Sequence, residues 1–138
     1  MVYAVIDTNV LVSSGLSEND SPPTKVVDML LNGAITPLFN AFILREYRRV
    51  LMQPQFGLDE SWVFELLEFI EQSGIGVELI DSGCSLSDKE DSPIFDIVES
   101  TREYNSVLVT GNIKHFPKVS YVLTPKNLID HLNSISRT

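Results

Sequence analysis

Hydrophobic and polar positions alternate along the chain in blocks whose periods differ. Val2–Ile6 is a short unbroken apolar run rich in β-branched residues, the pattern of a strand covered on both faces in a parallel sheet. Asp7, Thr8 and Asn9 end it. Residues 13–20 are a polar connection, Ser21 with Pro22 and Pro23 predicts a helix start, and Gly33 its stop. Ile35–Phe39 is a second strand. Residues 42–52 carry helical spacing and stop before Pro54. Asp59 opens a further helix on which Trp62, Leu66, Phe69 and Ile70 share a face, closed by Gly74 and Gly76. Residues 77–80 predict a third strand, and residues 92–104 a helix with Pro93 tolerated in its first turn. Residues 107–110 and 121–123 are a fourth and a fifth strand, and Thr124 with Pro125 caps a last helix running to about residue 135. Strands alternating with helices predict a three-layer α/β/α sandwich around a mostly parallel sheet of about five strands, a class that places its sites at the carboxyl ends of strands.

Length and composition narrow this picture. With 138 residues, 43% of them hydrophobic, the chain can bury one core, and no repeat or linker divides it, so residues 1–138 are expected to form one domain. Cys84 stands alone, which excludes an internal disulfide and a cysteine zinc site and points to a reducing compartment, the cytoplasm. No charged leader, cleavage site or apolar run approaching about 20 residues is present, so neither export nor a membrane is expected. The net charge of −9 opposes unspecific binding of nucleic acid, which rests on Lys and Arg neutralising phosphates. That acidity becomes intelligible if several carboxylates converge on a cation, because the ion turns a repulsive cluster into one that attracts phosphate. It also suits a basic protein partner.

Three acids stand out by position. Asp7 lies where the first strand runs out, which aims it into the crevice at the sheet edge; it serves there either as a ligand or as a cap for the following helix. On the helix over residues 42–52, Ile43, Tyr47, Val50 and Leu51 form the apolar face and Arg45, Arg48 and Arg49 lie opposite. At about 100° per residue, Glu46 falls on the rim between them, where it needs a partner: a cation, or Arg49 in an ion pair typically worth a few tenths of a kcal/mol. Asp91, with Asp88 and Glu90 beside it, precedes the helix bearing Ile94, Phe95 and Val98, as a ligand or as an N-cap. Asp96 falls opposite Ile94 and Val98 and is expected in solvent. The fourth strand ends in Thr110-Gly111-Asn112, which brings a hydroxyl and an amide to the same edge as Asp7, with Gly111 permitting a sharp or left-handed turn.

Taken in order, VIDTNVLVS at residues 5–13, ILREYRRVL at 43–51, DKEDSPIF at 88–95 and LVTGNIKHFP at 108–117 resemble the PIN-domain family, in particular its toxin-like members of toxin–antitoxin pairs. The resemblance implies a metal-dependent endoribonuclease in which Asp7, Glu46 and Asp91 converge to hold Mg²⁺ or Mn²⁺. The chemistry agrees. Clustered carboxylates repel unless a hard cation neutralises them, Mg²⁺ prefers oxygen ligands, and a bound water made more acidic by the ion can attack a phosphodiester without a histidine nucleophile. Asn112 stands where many members carry a fourth acid; an amide can orient water but brings no charge toward a second metal. The resemblance further assigns Thr8, Asn9 and Thr110 to orienting carboxylates and waters. It puts Lys114, His115 and Lys118 either on RNA phosphate or in a solvated turn, with the same alternative for Arg45, Arg48 and Arg49. Single-stranded RNA, an antitoxin-like protein and a second copy of the chain are the implied partners, with the helices around Glu46 and Trp62 suited to the last. Two other readings compete. A binding module of reduced activity is permitted by Asn112 and the net charge. A phosphoryl-accepting signalling domain would need paired acids after the first strand and an acceptor Asp after the middle one, and neither is present.

Overall fold

The computed structural model describes residues 2–17, 21–77 and 92–136. Five strands, β1 (Val2–Ile6), β2 (Ile35–Phe39), β3 (Ile75–Gly76), β4 (Val107–Val109) and β5 (Val122–Leu123), form one sheet in the order β3-β2-β1-β4-β5, with every pairing parallel. The helices are α1 (Thr8–Leu16), α2 (Pro22–Leu31), α3 (Ala41–Leu51), α4 (Glu60–Ser73), α5 (Ser92–Ser100) and α6 (Pro125–Ser136). Ala4, Val5 and Ile6 are consecutive and all buried, as are Leu108 and Val109. Successive side chains on a strand face opposite ways, so both faces of the central strands are covered and the three-layer α/β/α arrangement stands. The chain steps from β1 through β2 to β3 on one side, then returns to lay β4 on the other side of β1. That reversal between β1 and β4 opens a crevice at their carboxyl ends.

Local chemistry starts the helices where the polar residues stand. Ser21 accepts from the Thr24 N–H at 3.4 Å, Asn40 from Ile43 at 2.8 Å, Asp59 from Ser61 at 3.1 Å and Thr124 from Asn127 at 3.1 Å, each relieving an orphan donor of a first turn. Ile43, Tyr47 and Leu51, four residues apart, are the buried face of α3. Full burial of one such aliphatic side chain is worth about 1.5–3 kcal/mol. After α2, Gly33 takes φ +90°, the left-handed stop its position predicts.

Four expectations need correction. The expected polar connection over residues 13–20 is partly helix: α1 runs from Thr8 to Leu16, burying Val10, Leu11 and Ser14, and the Ser14 hydroxyl returns a 2.7 Å bond to the Leu11 carbonyl. The third strand begins at Ile75, two residues before the expected 77–80; the Val77 N–H extends it by donating to Phe39 O at 2.7 Å, and residues 78–80 lie outside the described residues. Gly76 therefore belongs to the strand, while Gly74 alone closes α4. A Cβ on Gly74 would stand 2.4 Å from the Pro37 carbonyl oxygen, so the close approach of α4 to β2 requires glycine there. The helix expected over 92–104 ends at Ser100, because the Thr101 hydroxyl turns back to Ile97 O at 2.7 Å and meets the Ser106 hydroxyl at 2.7 Å, leaving a separate 3-10 turn over Arg102–Tyr104. Asp96 is half-buried and has a partner, rather than standing in solvent. Among the described residues no helix is long and apolar enough to cross a membrane.

Candidate active site

Asp7 leaves β1 at the crevice with its backbone still held by the sheet: its N–H donates to Val109 O at 2.8 Å. The residue is 8% exposed. Thr110, the first residue past β4, donates its hydroxyl to Asp7 Oδ2 at 2.7 Å, and the Asn112 N–H donates to that same hydroxyl oxygen at 3.0 Å. Alongside, the Gly111 N–H donates to Asn9 Oδ1 at 3.2 Å. The ends of β1 and β4 are thus stitched together through the three polar residues Asn9, Thr110 and Asn112 and one carboxylate. Of the sharp or left-handed turn expected at Gly111, the chain makes a bend without a left-handed backbone, and a Cβ there would meet Asn9 Oδ1 at an ordinary 3.6 Å.

Burial sets the electrostatics of Asp7. Desolvation raises its pKa above the ordinary carboxylate value; the Thr110 hydrogen bond, the Asn9 and Thr8 N–H groups and the charge of His115 oppose that shift and are smaller. Asp7 occupies the N-cap position of α1 but makes no capping hydrogen bond. The N–H groups lie near enough to favour its charge without being aligned to cap, so capping does not account for its placement. Behind it, the buried Tyr47 hydroxyl donates to the Ile6 carbonyl, and burial together with the Asp7 charge pushes its pKa upward, so it stays a donor.

Glu46 lies one residue before Tyr47 on α3, 27% exposed, and accepts from Arg49 Nη2 at 2.8 Å. Arg49 is 63% exposed, and a pair so open to solvent is worth about 0–1 kcal/mol. Glu46 nonetheless lines the same cleft as Asp7, a hollow of about 350 Å³ that also includes Thr8, Asn9, Ser13, Asn112 and His115 and is walled by Val12, Val50, Phe56 and Ile94. Two carboxylates therefore face one apolar-walled cleft, and one of them holds only a loose ion pair.

The remaining expected residues divide. Thr8, Asn9, Asn112 and His115 line the cleft; Lys114 and Lys118 are exposed outside its lining. Arg45 is exposed, and Arg48 lies 5.6 Å over the Phe64 ring on the α3–α4 surface. Asp91, with Asp88, Glu90 and Cys84, lies outside the described residues. Among the described residues no group of three or more His, Cys, Asp or Glu is gathered to hold a metal ion. Apart from the His115 imidazole, the cleft offers oxygen donors from Asp7, Glu46, Thr8, Asn9, Ser13 and Asn112, as Mg²⁺ and Mn²⁺ prefer. The Thr8 hydroxyl oxygen is buried without a hydrogen-bond partner, and such an orphan costs about 1–3 kcal/mol unless a ligand or water satisfies it. On both counts the site fits a hydrated hard cation. Sequence reasoning missed Ser13, Phe56 and the Tyr47 hydroxyl. Only Tyr47 carried a signal: a phenol on an apolar helix face must find an acceptor when it is buried.

A family model described as PIN domain matches residues 3–114, from β1 through the Thr110-Gly111-Asn112 segment. No curated protein and no solved structure matches the chain.

Proposed function

Because the chain belongs to the PIN-domain family, which is generally a nuclease fold, we propose that it is a divalent-metal-dependent endoribonuclease acting on single-stranded RNA, the toxin-like component of a toxin–antitoxin pair. The observation that carries this reading is the buried Asp7 carboxylate facing Glu46 across one cleft. Asp7 and Glu46, with Asp91, are the residues that would hold Mg²⁺ or Mn²⁺, ions that PIN domains generally use. When bound, the ion supplies an acidified water and charge neutralisation at the phosphate.

The chain's own groups divide the remaining work. Thr110 orients Asp7 through Oδ2 and is itself oriented by the Asn112 N–H. Tyr47 fixes the height of α3, and so of Glu46, against the end of β1. Val50, Phe56 and Ile94 exclude water and strengthen every charge interaction in the cleft. The charge of His115 acts on Asp7 and would act equally on an incoming phosphate. Glu46 would have to release Arg49 to hold an ion, a small cost because the pair is open to solvent. The net charge of −9 suits a basic, antitoxin-like protein partner, and the α3–α4 surface with Phe64 46% exposed suits a second copy of the chain.

The test is cleavage of a mixed single-stranded RNA with Mg²⁺ or Mn²⁺. We expect EDTA to abolish it and Asp7→Asn to lower it at least as much as the roughly 10–100-fold lost when an outer partner of a metal ligand is removed. The Glu46–Arg49 pair and Asn112 favour one alternative, a weakly active binding module. That alternative takes over if the native protein cuts no RNA with either ion and calorimetry finds no Asp7-dependent binding of Mg²⁺ or Mn²⁺.

A further inference from the structure

A second hollow, about 180 Å³, adjoins the acidic cleft across a ridge of Asn9, Ser13 and Asn112, which line both. Its far wall is made by Pro23 in the first turn of α2, Pro125 at the start of α6, and Gly111 after β4. Among the described residues no carboxylate lines it. In a chain of net charge −9 this is unusual, and the lysines accentuate it: of the five in the sequence, Lys25 lies two residues past Pro23, Lys126 directly follows Pro125 and Lys114 lies two past Asn112, all exposed. These exposed lysines belong to the same elements as the lining residues and lie next to the cleft that holds the acids only in that sense.

We propose that this hollow is the subsite for a nucleotide flanking the scissile phosphate of single-stranded RNA, with Lys25 and Lys126 contacting the backbone phosphates of the strand. The inference rests on the nuclease reading and adds the path of the substrate to it. A strand whose scissile phosphate lies over Asp7 must continue past the ridge. There it meets amide and hydroxyl groups of Asn9, Ser13 and Asn112, which can bond a base edge or a 2′-hydroxyl, beside the apolar rings of Pro23 and Pro125. The hollow admits one splayed base and not a stacked pair, so the subsite selects single strands. Lysines carry the affinity and the neutral pocket carries the choice of strand, as in other single-strand grooves.

The test is fluorescence anisotropy of a labelled single-stranded RNA with the full chain in Ca²⁺, over a salt series. Lys25→Ala/Lys126→Ala should weaken binding about tenfold or more and reduce the slope of log K against log salt by about 1.4, two contacts at about 0.7 each. Gly111→Leu, whose side chain starts against Asn9 where a Cβ has room, should weaken binding with the slope unchanged, because it fills space and removes no charge. Arg45→Ala/Arg48→Ala, an equal loss of charge on the α3–α4 surface, should leave binding within about twofold. Equal loss in the two double variants would overturn the proposal in favour of bulk electrostatics, as would unchanged binding in Gly111→Leu or a duplex bound as tightly as the single strand. If the native protein binds no RNA here yet cuts it with Mn²⁺, the subsite is wrong and the nuclease reading stands; if it neither binds nor cuts, both fall.

Discussion

Asp7 is held by the fold in an environment that disfavours its charge, and a carboxylate so placed works against stability once ionised. With the folded pKa raised, the native state binds more protons than the unfolded chain between the ordinary carboxylate pKa, about 3.9, and the raised value. The slope of stability with pH is then negative: this group's contribution is full below about pH 4 and is lost as pH rises through the folded pKa. At neutral pH the metal-free protein therefore carries an unfavourable term, which Asp7→Asn removes while an amide oxygen still accepts from Thr110. In EDTA at pH 7, Asp7→Asn should melt higher than the native protein, by on the order of a few degrees. The gap should shrink as the pH is lowered toward 4 and reverse when Mg²⁺ or Mn²⁺ stabilises only the native protein. A variant that melts lower in EDTA at pH 7 would mean that the Thr110 bond and the neighbouring N–H groups outweigh desolvation.

Among the elements, α3 has the most exacting position, because Glu46 must face a residue on a different strand end. Its tie to β1 is the Tyr47 hydroxyl on the Ile6 carbonyl. Tyr47→Phe keeps the ring and strands a buried acceptor, so denaturant unfolding should show a loss of about 1–3 kcal/mol with the slope m unchanged. A neutral result would mean that the carbonyl finds another donor. The strands and most helices were legible in the sequence because their periods are unmixed: Val2–Ile6 is apolar throughout, and α3 repeats Ile43, Tyr47, Leu51. What was not legible has physical causes. α1 is hidden because Ser13, Ser14 and Gly15 are poor helix formers and its buried positions include a serine. The start of β3 is hidden because two glycines one residue apart look like a single helix stop, although a backbone approach to Pro37 demands the first and the second sits in a strand. At the site, Asp7 could be read from its place after a strand, and Glu46 as a rim residue with Arg49 one turn on as its ion-pair partner, but the walls from Phe56, Ile94 and His115 come from segments that only the folded topology brings together.

Over the whole molecule, charge is unevenly distributed. The net −9 makes the chain repel itself, whereas the RNA path proposed above depends on a few lysines. Salt should therefore act in opposite directions on two properties of one sample. Raising NaCl from 0.05 to 0.5 M shortens the screening length from roughly 14 Å to about 4 Å, so the melting temperature should rise while affinity for single-stranded RNA falls. A melting temperature that falls with salt would show that local ion pairs outweigh the net repulsion.

The strand order has a consequence in time as well as in space. β1 is made first but lies at the centre of the sheet, and its neighbour β4 ends at Val109, so Thr110 reaches Asp7 across 103 positions of chain. At the roughly 5–20 residues per second of synthesis, several seconds separate the first half of the crevice from the second. During that interval the nascent chain has no Thr110 to orient Asp7 and no ridge for a strand to cross. The crevice is therefore completed only when most of the chain has left the ribosome, and until then Asp7 stands at the end of a strand with one neighbour missing.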